Sequence, residues 1–212
     1  MAPGPSNVDR VYRALKQLIL SGSYSLGSRI DTQSVADTYG TSVTPVRDAV
    51  QRLIGERLLE ALPHGGFQAP AVTAPALLDL YDWNGRLAQI AAKLPPCANE
   101  PLAQLVDAAA PMASPEQFAA LTASLYSHLA RRSGNHAHQR AVAQLNDSLH
   151  AARLAEARTL KDPYSELLQL IRTLDSGNNR AISTRLSAYH HRRRQKLLPL
   201  LGTIHSFHER QR

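Results

Sequence analysis

The segment AYHHRRRQK, from Ala188 to Lys196, brings together a tyrosine, two histidines, three arginines and a lysine. Neutral imidazole is a common metal ligand, and guanidinium groups bind phosphate through paired N–H donors. The segment could therefore hold a metal ion, contact a phosphate backbone, or form the solvated outer face of a helix. The elements that surround it decide among these roles.

The remaining sequence offers little support for a metal or catalytic site. His128, His136, His138 and His150 have spacings that imitate metal sites, but none has a carboxylate at a matching interval. No Ser/His/Asp set, glycine-rich phosphate loop or carboxylate pair stands out. Cys97 is the only cysteine, which excludes a cluster of thiolate ligands. We predict a protein that is not an enzyme.

Length, charge and hydropathy narrow the class of protein. The 212 residues suit two compact domains, and 43% hydrophobic residues can build a core. A net charge of +7 indicates an anionic partner, although residues 1–70 hold seven Lys and Arg against six Asp and Glu. No apolar leader opens the chain and no apolar run is long enough to cross a bilayer. We expect a soluble, cytoplasmic protein with no membrane partner.

The N-terminal third has the order helix, helix, turn, helix, hairpin. Apolar residues at helical spacing predict a first helix over 8–20, and SYSLGSRI reads as a turn-rich connector. Asp31 or Thr32 can cap a short second helix, and Pro45 fits the first position of a third. LLEAL, PHGG and FQAPAV then read as strand, turn and strand. This order predicts a winged helix-turn-helix DNA-binding domain over 1–72.

The rest of the chain, 73–212, contains only helical patterns. Alanine and leucine dominate, and the apolar residues recur every three to four positions. We predict an all-α six-helix bundle, with 202–212 as a frayed tail. The helices are expected over residues 75–94, 101–110, 114–133, 136–159, 163–175 and 179–201. The fold class is therefore mainly α, with one small β-hairpin wing.

Residues 8–72 resemble the DNA-binding domain of GntR-type bacterial transcription regulators, most clearly in TPVRDAVQRL and in the glycine-bearing turn that follows. The resemblance implies that a set of five residues contacts DNA: Gln33, Thr44, Arg47, His64 and Gly65. This chain has Val43 where the family usually has arginine, which leaves more of the specificity to Arg47 and favours a non-consensus or weaker operator.

The chemistry of these residues also indicates that this surface contacts DNA. The free N–H groups at the start of the third helix can face phosphate, with hydroxyl donors from Ser42 and Thr44. Arg47 can donate two parallel hydrogen bonds to a guanine edge. Gly65 and Gly66 allow the backbone of the wing turn to approach DNA closely. The alternative is that Arg47 pairs with a neighbouring acid on a solvated surface, the candidates being Asp37, Asp48 and Glu56.

The helical region resembles, more weakly, the FCD effector domain of the FadR-type branch, and six helices are similar to its VanR-like subgroup. Most of that branch binds a metal through one aspartate and three histidines. Here Thr122 stands at the aspartate position, and tyrosines stand at the histidine positions: Tyr126, Tyr164 and Tyr189. A neutral phenol is a poor ligand because its pKa is about 10. The resemblance therefore implies a degenerate site without a metal cofactor.

The same positions suggest a binding site for a small organic molecule. We predict an effector cavity lined by Trp83, Asn84, Tyr126, Tyr164 and Tyr189, in which Asn84 replaces the family's arginine and Tyr81 is an alternative to Trp83. Aromatic walls with phenol groups suit a small amphipathic or carboxylate effector. Alternatively, each tyrosine is an ordinary core residue whose hydroxyl is satisfied.

These expectations return to AYHHRRRQK. In the preferred alignment Tyr189 points inward and His190 and His191 are displaced, whereas a shift of one residue restores His190. The basic run is expected to form a solvated face or a partner-contacting surface.

Together the patterns predict a ligand-responsive transcription regulator, most often a repressor in this family. We expect it to bind a short inverted-repeat operator in double-stranded DNA as a homodimer. The alternatives are a non-specific basic DNA-binding protein and, more remotely, an enzyme that uses the bundle cavity.

Overall fold

The computed structural model describes residues 6–21, 24, 27–94, 102, 105 and 114–209. In these residues the protein is mainly helical, as the sequence predicted, and it has ten helices and one small three-stranded sheet. The chain divides into a first unit, which comprises the residues up to Val72 together with those from His205 onward, and a second unit from Thr73 to Ile204. No helix in the described ranges is long and apolar enough to cross a membrane.

Local sequence signals set the elements of the first unit. Ser6 caps α1 by accepting a hydrogen bond from the Asp9 amide, and Asp31 caps α2 through the Gln33 amide. The third helix begins at Val43, two residues before Pro45, which corrects the predicted start. The bounds are α1 Asn7–Leu20, β1 Arg29–Ile30, α2 Thr32–Thr38, α3 Val43–Gly55, β2 Glu60–Ala61 and β3 Phe67–Gln68.

The sheet of the first unit has one strand more than the sequence predicted. Its antiparallel order is β1-β3-β2, so the predicted hairpin forms and β1 pairs with its last strand. β1 arises from the segment that we interpreted as a turn-rich connector. Two residues are too few to show the alternating pattern by which strands are detected, and only pairing with β3 reveals the strand.

Apolar stripes on α1 and α3 form the core of the first unit. Val11 and Leu15 of α1 pack with Val46, Val50 and Leu53 of α3, and all five are fully buried. At an edge of this core the Tyr12 hydroxyl donates to Glu56 Oε1 over 2.6 Å, and Lys16 Nζ lies 2.9 Å from Glu56 Oε2. The two helices are thus joined by both apolar contact and a partly buried polar cluster.

The second unit is helical throughout its described residues. Most of its helices begin with a proline in the first turn or with a capping side chain. At the start of α5, for example, Ser114 and Gln117 form a reciprocal capping box. The bounds are α4 Ala74–Ala92, α5 Pro115–Arg131, α6 His136–Ser148, α7 His150–Thr159, α8 Pro163–Asp175, α9 Asn179–Gln195 and α10 Leu197–Glu209.

Three predicted boundaries differ from the structure. The expected helix over 136–159 is interrupted at Leu149, and the one over 179–201 is interrupted at Lys196. The prediction of a frayed tail from 202 was wrong, because α10 continues to Glu209. The apolar periodicity runs through both interruptions, so it could not reveal them. The predicted helix over 101–110 lies outside the described residues, apart from 102 and 105.

Two helices, α5 and α9, organise the bundle core. α5 packs against α6, α7 and α4, and α9 packs against α4 and α8. Phe118 and Leu125 of α5 meet Leu167 and Leu170 of α8 and Leu186 of α9 in one apolar cluster. This core places the polar inner residues of α7 and α9 where water cannot solvate them, so they must find partners within the protein.

Arg193 of α9 provides the strongest of these polar contacts. Its side chain is 0% exposed; Nε donates to Glu156 Oε2 over 2.8 Å, and Nη1 donates to Glu166 Oε2 over 2.8 Å. Its Cζ lies 3.2 Å from the centre of the Tyr189 ring. The Tyr81 hydroxyl donates to the other Glu156 oxygen over 2.7 Å. One guanidinium therefore connects α9 with α7 and α8, and Glu156 extends the network to α4.

This arrangement corrects the expectation that the basic run is a solvated face. Arg192 pairs with Glu166 of α8 over 3.0 Å, and Arg194 pairs with Asp82 of α4 over 3.0 Å. Consecutive helical residues are about 100° apart, so three adjacent arginines reach acids on different neighbouring helices. The basic run is a set of structural ties around α9.

Replacing Arg193 with methionine is expected to lower the free energy of unfolding by about 3–5 kcal/mol, because Glu156 would remain buried without its cation. The matched change Arg194→Met breaks a half-exposed pair and is expected to cost about 0–1 kcal/mol. Chemical denaturation measures both. Adding Glu156→Gln to Arg193→Met should restore part of the loss. Equal stability of the two single variants would contradict the central role of Arg193.

Candidate nucleic-acid interface and ligand site

The start of α3 forms one wall of an open groove in the first unit. The groove is lined by residues of the α2–α3 turn and the first turn of α3, together with Asn7: Ala36, Asp37, Gly40, Thr41, Ser42, Thr44 and Pro45. Ser42 occupies the N-cap position but makes no side-chain capping bond. The first amides of α3 and the exposed hydroxyls of Ser42 and Thr44 are therefore available as donors to an anionic group.

Arg47 is exposed on α3, next to this groove. Of the acids considered as its partners, Glu56 binds Tyr12 and Lys16, and Asp37 accepts a hydrogen bond from Gln33 over 3.0 Å. Arg47 has no hydrogen bond or ion pair within the described part of the chain. The guanidinium is thus presented to solvent beside a set of exposed donors.

Unlike Arg47, the side chains of Gln33 and Arg52 have partners within the protein. Gln33 is exposed on α2, but its amide is bound to Asp37. Arg52 stacks on the Tyr12 ring with its Cζ 3.8 Å from the ring centre, and its Nη1 lies 3.3 Å from Asp9 Oδ1. A cation held between a ring and a carboxylate stabilises the α1–α3 contact. The same side-chain type therefore performs different roles at 47 and 52.

The wing turn is held by an arginine that the sequence did not single out. Arg29 Nη2 donates to the Gly65 carbonyl over 2.9 Å, and the backbone closes the turn between Leu62 and Gly66. Gly66 has φ +96°, and a Cβ there would lie 2.5 Å from Arg29 Nε. His64 and Gly65 are exposed at the tip. The backbone conformation thus favours glycine at 66, and a Cβ there would displace the exposed Arg29 side chain from its place on the turn.

His190, Asn84 and Tyr126 meet in the interior of the second unit. His190 Nδ1 lies 2.9 Å from the Leu186 carbonyl, which it can reach only as a donor, so the neutral ring accepts at Nε2. The Tyr126 hydroxyl lies 3.2 Å from this nitrogen and donates to it. The Asn84 amide is also 3.2 Å away through Oδ1, and turning it over would direct its unpartnered NH2 group to the same acceptor.

Burial controls the protonation of this cluster. Burial is the main reason that the pKa of His190 is lowered to about 4; the hydrogen bond to the Leu186 carbonyl opposes this shift and the nearby charge of Arg193 adds to it. Burial also raises the pKa of Tyr126 and Tyr189 well above the usual range. All three rings are therefore neutral at pH 7. The prediction that His190 is displaced from the interior was wrong, because Tyr189 and His190 are both buried.

The structure brings together three of the five predicted effector residues, Asn84, Tyr126 and Tyr189. Both tyrosine rings contact the His190 ring: its centre lies 5.9 Å from the centre of the Tyr126 ring and 5.5 Å from that of Tyr189. Tyr164 instead packs edge-on against Phe118, 5.2 Å between ring centres. Trp83 is 49% exposed on α4, beside an open groove along α4 and α9. The expected common wall of three tyrosines is therefore reduced to two.

The described residues contain no group of three His, Cys, Asp or Glu side chains that could hold a metal ion. Thr122, at the position of the family's aspartate, is buried and donates to the Phe118 carbonyl over 2.8 Å. His128, one of the histidines whose spacing imitates a metal site, is buried, and its ring contacts Arg131.

Sequence reasoning missed the buried charges of this unit. The apolar ladder Ile182, Leu186, Tyr189 reaches Arg193 when continued by one turn, so its inward position was detectable. Arg153 and Glu156 gave no such signal, because α7 is buried nearly all round its middle turns and has no polar face to mark it. Only the packing of α7 between its neighbours identifies them.

Comparison with known families identifies the type of domain in the first unit. Residues 7–68 match the family described as bacterial regulatory proteins, gntR family. Over 83 residues the chain is 32% identical to an uncharacterized HTH-type transcriptional regulator, YdhC, of Bacillus subtilis, covering 39% of this chain and 37% of that protein. It is 28% identical over 71 residues to the HTH-type transcriptional repressor GlaR of Escherichia coli, covering 34% and 32%.

These curated relatives are matched over about a third of their length. A solved GntR transcriptional regulator from Rhodococcus sp. RHA1 is similar in fold, with a TM-score of 0.73 and 21% identity, over 92% of this chain and 98% of that one. Residues 7–68 therefore carry a helix-turn-helix domain of the GntR type. The second unit shares a helical fold with such regulators.

Replacing Gly66 with alanine is expected to destabilise the first unit more than Gly65→Ala. Both residues have positive φ, a strain of about 1–3 kcal/mol for alanine, but only at 66 does the new Cβ meet Arg29. Denaturation followed by circular dichroism measures the difference. In an Arg29→Ala background the two substitutions should cost the same, and an undiminished gap there would show that Arg29 is not the cause.

The buried neutral His190 is expected to make stability depend on pH. Between its ordinary pKa of 6.5 and its folded pKa of about 4, only the unfolded chain binds the proton, so stability falls as the pH drops through this range. The loss from pH 7 to 5 should be about 2 kcal/mol relative to His190→Gln, which cannot titrate. His191→Gln, at an exposed position, should keep the wild-type profile; a wild-type slope in His190→Gln would contradict the assignment.

Proposed function

We propose that the protein is a ligand-responsive, sequence-specific DNA-binding transcription regulator. The observation that carries this proposal is the exposed guanidinium of Arg47, which has no partner among the residues that the structure describes. It stands near the start of α3, which lacks a side-chain cap, in a helix-turn-helix of the GntR type. An arginine so placed can donate two hydrogen bonds to a guanine edge, while the helix amides, Ser42 and Thr44 bind phosphate. Among the described residues of the first unit, none forms a hydrogen bond or an ion pair with this cation.

The wing completes the proposed interface. His64 and Gly65 are exposed at its tip, and Arg29 holds the turn in a fixed shape. A fixed turn loses little conformational entropy when it binds, which favours contact with a groove or a phosphate. Gln33 adds a contact from α2 if its amide exchanges Asp37 for DNA. We propose that two chains bind a short inverted repeat as a homodimer.

In this proposal the second unit is a metal-free effector domain related to the FCD domains of the FadR-type branch, and the protein is not an enzyme. Asn84, Tyr126 and Tyr189 would provide the polar part of the effector site. A small molecule that binds there changes operator affinity by favouring one arrangement of the dimer. The repressor name of GlaR supports a repressor role. We propose that the effector releases this repressor from DNA.

The test begins by selecting DNA sequences from a random pool with the purified full chain. The expected result is an inverted repeat that binds at least about 1,000-fold more tightly than a shuffled sequence, as specific regulators do. The preference should persist as salt rises, whereas non-specific binding falls away through counterion release. Loss of any sequence preference would favour a non-specific basic DNA-binding protein instead.

Arg47→Ala is expected to weaken binding to the selected site by about 1–3 kcal/mol and to relax the base preference at one position of each half-site. Arg13→Ala removes the same charge from an exposed position on α1 and should preserve the base preference. Fluorescence anisotropy with single-base variants of the site compares them. An unchanged specificity profile in Arg47→Ala would remove the central support of the proposal.

A further inference from the structure

The wing turn carries a guanidinium that its own backbone holds in place. Gly65 and Gly66 follow each other with φ of +83° and +96°, so no side chain projects from either position. Arg29 of β1 reaches across to this turn, where its Nη2 donates to the Gly65 carbonyl over 2.9 Å. The same guanidinium lies against Gly66, because a Cβ added there would stand 2.5 Å from Nε and 3.0 Å from Cζ. The turn therefore gives a positive charge a defined position.

Arg29 uses little of its hydrogen-bonding capacity within the protein. One of its N–H groups binds Gly65, and the remaining ones have no partner among the residues that the structure describes. The side chain is exposed, and no carboxylate of the described chain pairs with it. Glu60, on β2 of the same sheet, instead accepts a hydrogen bond from Gln68 over 2.7 Å. A cation held in this way can donate to an acceptor from outside the chain.

The shape of the turn favours the minor groove of DNA. The major groove is about 12 Å wide and admits a helix such as α3, whereas the minor groove is about 6 Å wide. Two successive glycines make the turn slim enough to approach the narrower groove, which lies next to the major groove in which α3 is proposed to bind. A·T-rich segments narrow the minor groove further, and the stronger negative potential there attracts arginine.

We infer that Arg29 is a specificity-determining residue that enters the minor groove beside the wing and favours A·T pairs there. Its free N–H groups donate to the acceptors that A·T pairs present in this groove, adenine N3 and thymine O2. A G·C pair adds the guanine N2 amino group, which is a donor and therefore opposes a guanidinium. Since the guanidinium is already held on Gly65, it loses little conformational entropy when it binds.

Arg29 thereby adds a second mode of base recognition to the proposed function, on which this assignment rests for its operator. Arg47 is proposed to donate to a base edge in the major groove, whereas Arg29 senses the width of the minor groove and the absence of an amino group in it. The operator is therefore expected to contain A·T pairs next to the bases that α3 reads.

The test measures binding of the full chain to three duplexes by fluorescence anisotropy, one of A·T pairs, one of G·C pairs and one of inosine·cytosine pairs. Inosine is guanine without the N2 amino group, so its pairs keep the major-groove pattern of G·C but present the minor groove of A·T. Wild type is expected to bind the A·T and inosine·cytosine duplexes about 5-fold or more tightly than the G·C duplex. Arg29→Ala should bind all three equally.

Two further variants keep this assignment open to refutation. Arg13→Ala removes an exposed arginine of α1 and should keep the wild-type preference. Arg29→Lys retains the charge without the planar fork and should keep a weaker preference, which provides a readout if Arg29→Ala loosens the wing.

Three results would overturn the minor-groove assignment. A full preference in both Arg29 variants would show that Arg29 only holds the turn. A uniform loss of affinity for all three duplexes in Arg29→Ala, with a salt slope reduced by about 1, would assign the residue to a phosphate instead. Equal wild-type affinity for the G·C and inosine·cytosine duplexes would show that the amino group is not sensed.

The duplex comparison needs no operator, so its failure can be told apart from failure of the proposed function. An Arg29-dependent preference for inosine·cytosine over G·C, in a protein that selects no inverted repeat from random DNA, counts against the sequence-specific regulator and leaves the minor-groove contact standing. A selected operator that binds equally well with G·C or inosine·cytosine pairs next to the α3 contacts counts against the role of Arg29 alone.

Discussion

The buried ion-pair network around Arg193 is the interaction on which the second unit depends. A guanidinium with no exposure must keep its carboxylates in place, because an unpaired charge in this interior would cost several kcal/mol. That requirement fixes α9 against α7 and α8, and Tyr81 extends it to α4. The apolar core provides most of the burial, and the directional ion pairs add a further constraint on the rotation of α9.

The position of α9 then determines the chemistry of the neighbouring rings. With Arg193 inward, Tyr189 and His190 are carried into the same interior, and Gly85 of α4 allows the imidazole to pack within 3.1 Å of where a Cβ would stand. Burial keeps the imidazole neutral, so it acts as an acceptor for Tyr126. A polar cluster that is only partly satisfied from within is costly in a stable core, yet it is what a binding site for a polar ligand requires.

In the first unit, two arginines have structural contacts, whereas a third is exposed and can bind a ligand. Arg52 is held between Tyr12 and Asp9, and Arg29 is bound to the wing carbonyl of Gly65. Arg47 lies on the same helix as Arg52 but is exposed and free of such contacts in the described chain. Rigid support from the first two gives the third a defined position, which direct readout of a base requires.

The sequence by itself determined the local elements of this protein, because capping residues, prolines and apolar periodicity act over a few residues. It identified the helix-turn-helix, its wing, most bundle helices and the exposed Arg47. It could not find β1, which exists only through pairing with Phe67 and Gln68, or the interruptions at Leu149 and Lys196. The apolar ladder of α9 could have revealed the inward position of Arg193, but the tertiary structure alone decided that Arg153 and Glu156 are buried. They look like surface residues in the sequence, and only the helices packed around α7 remove them from solvent.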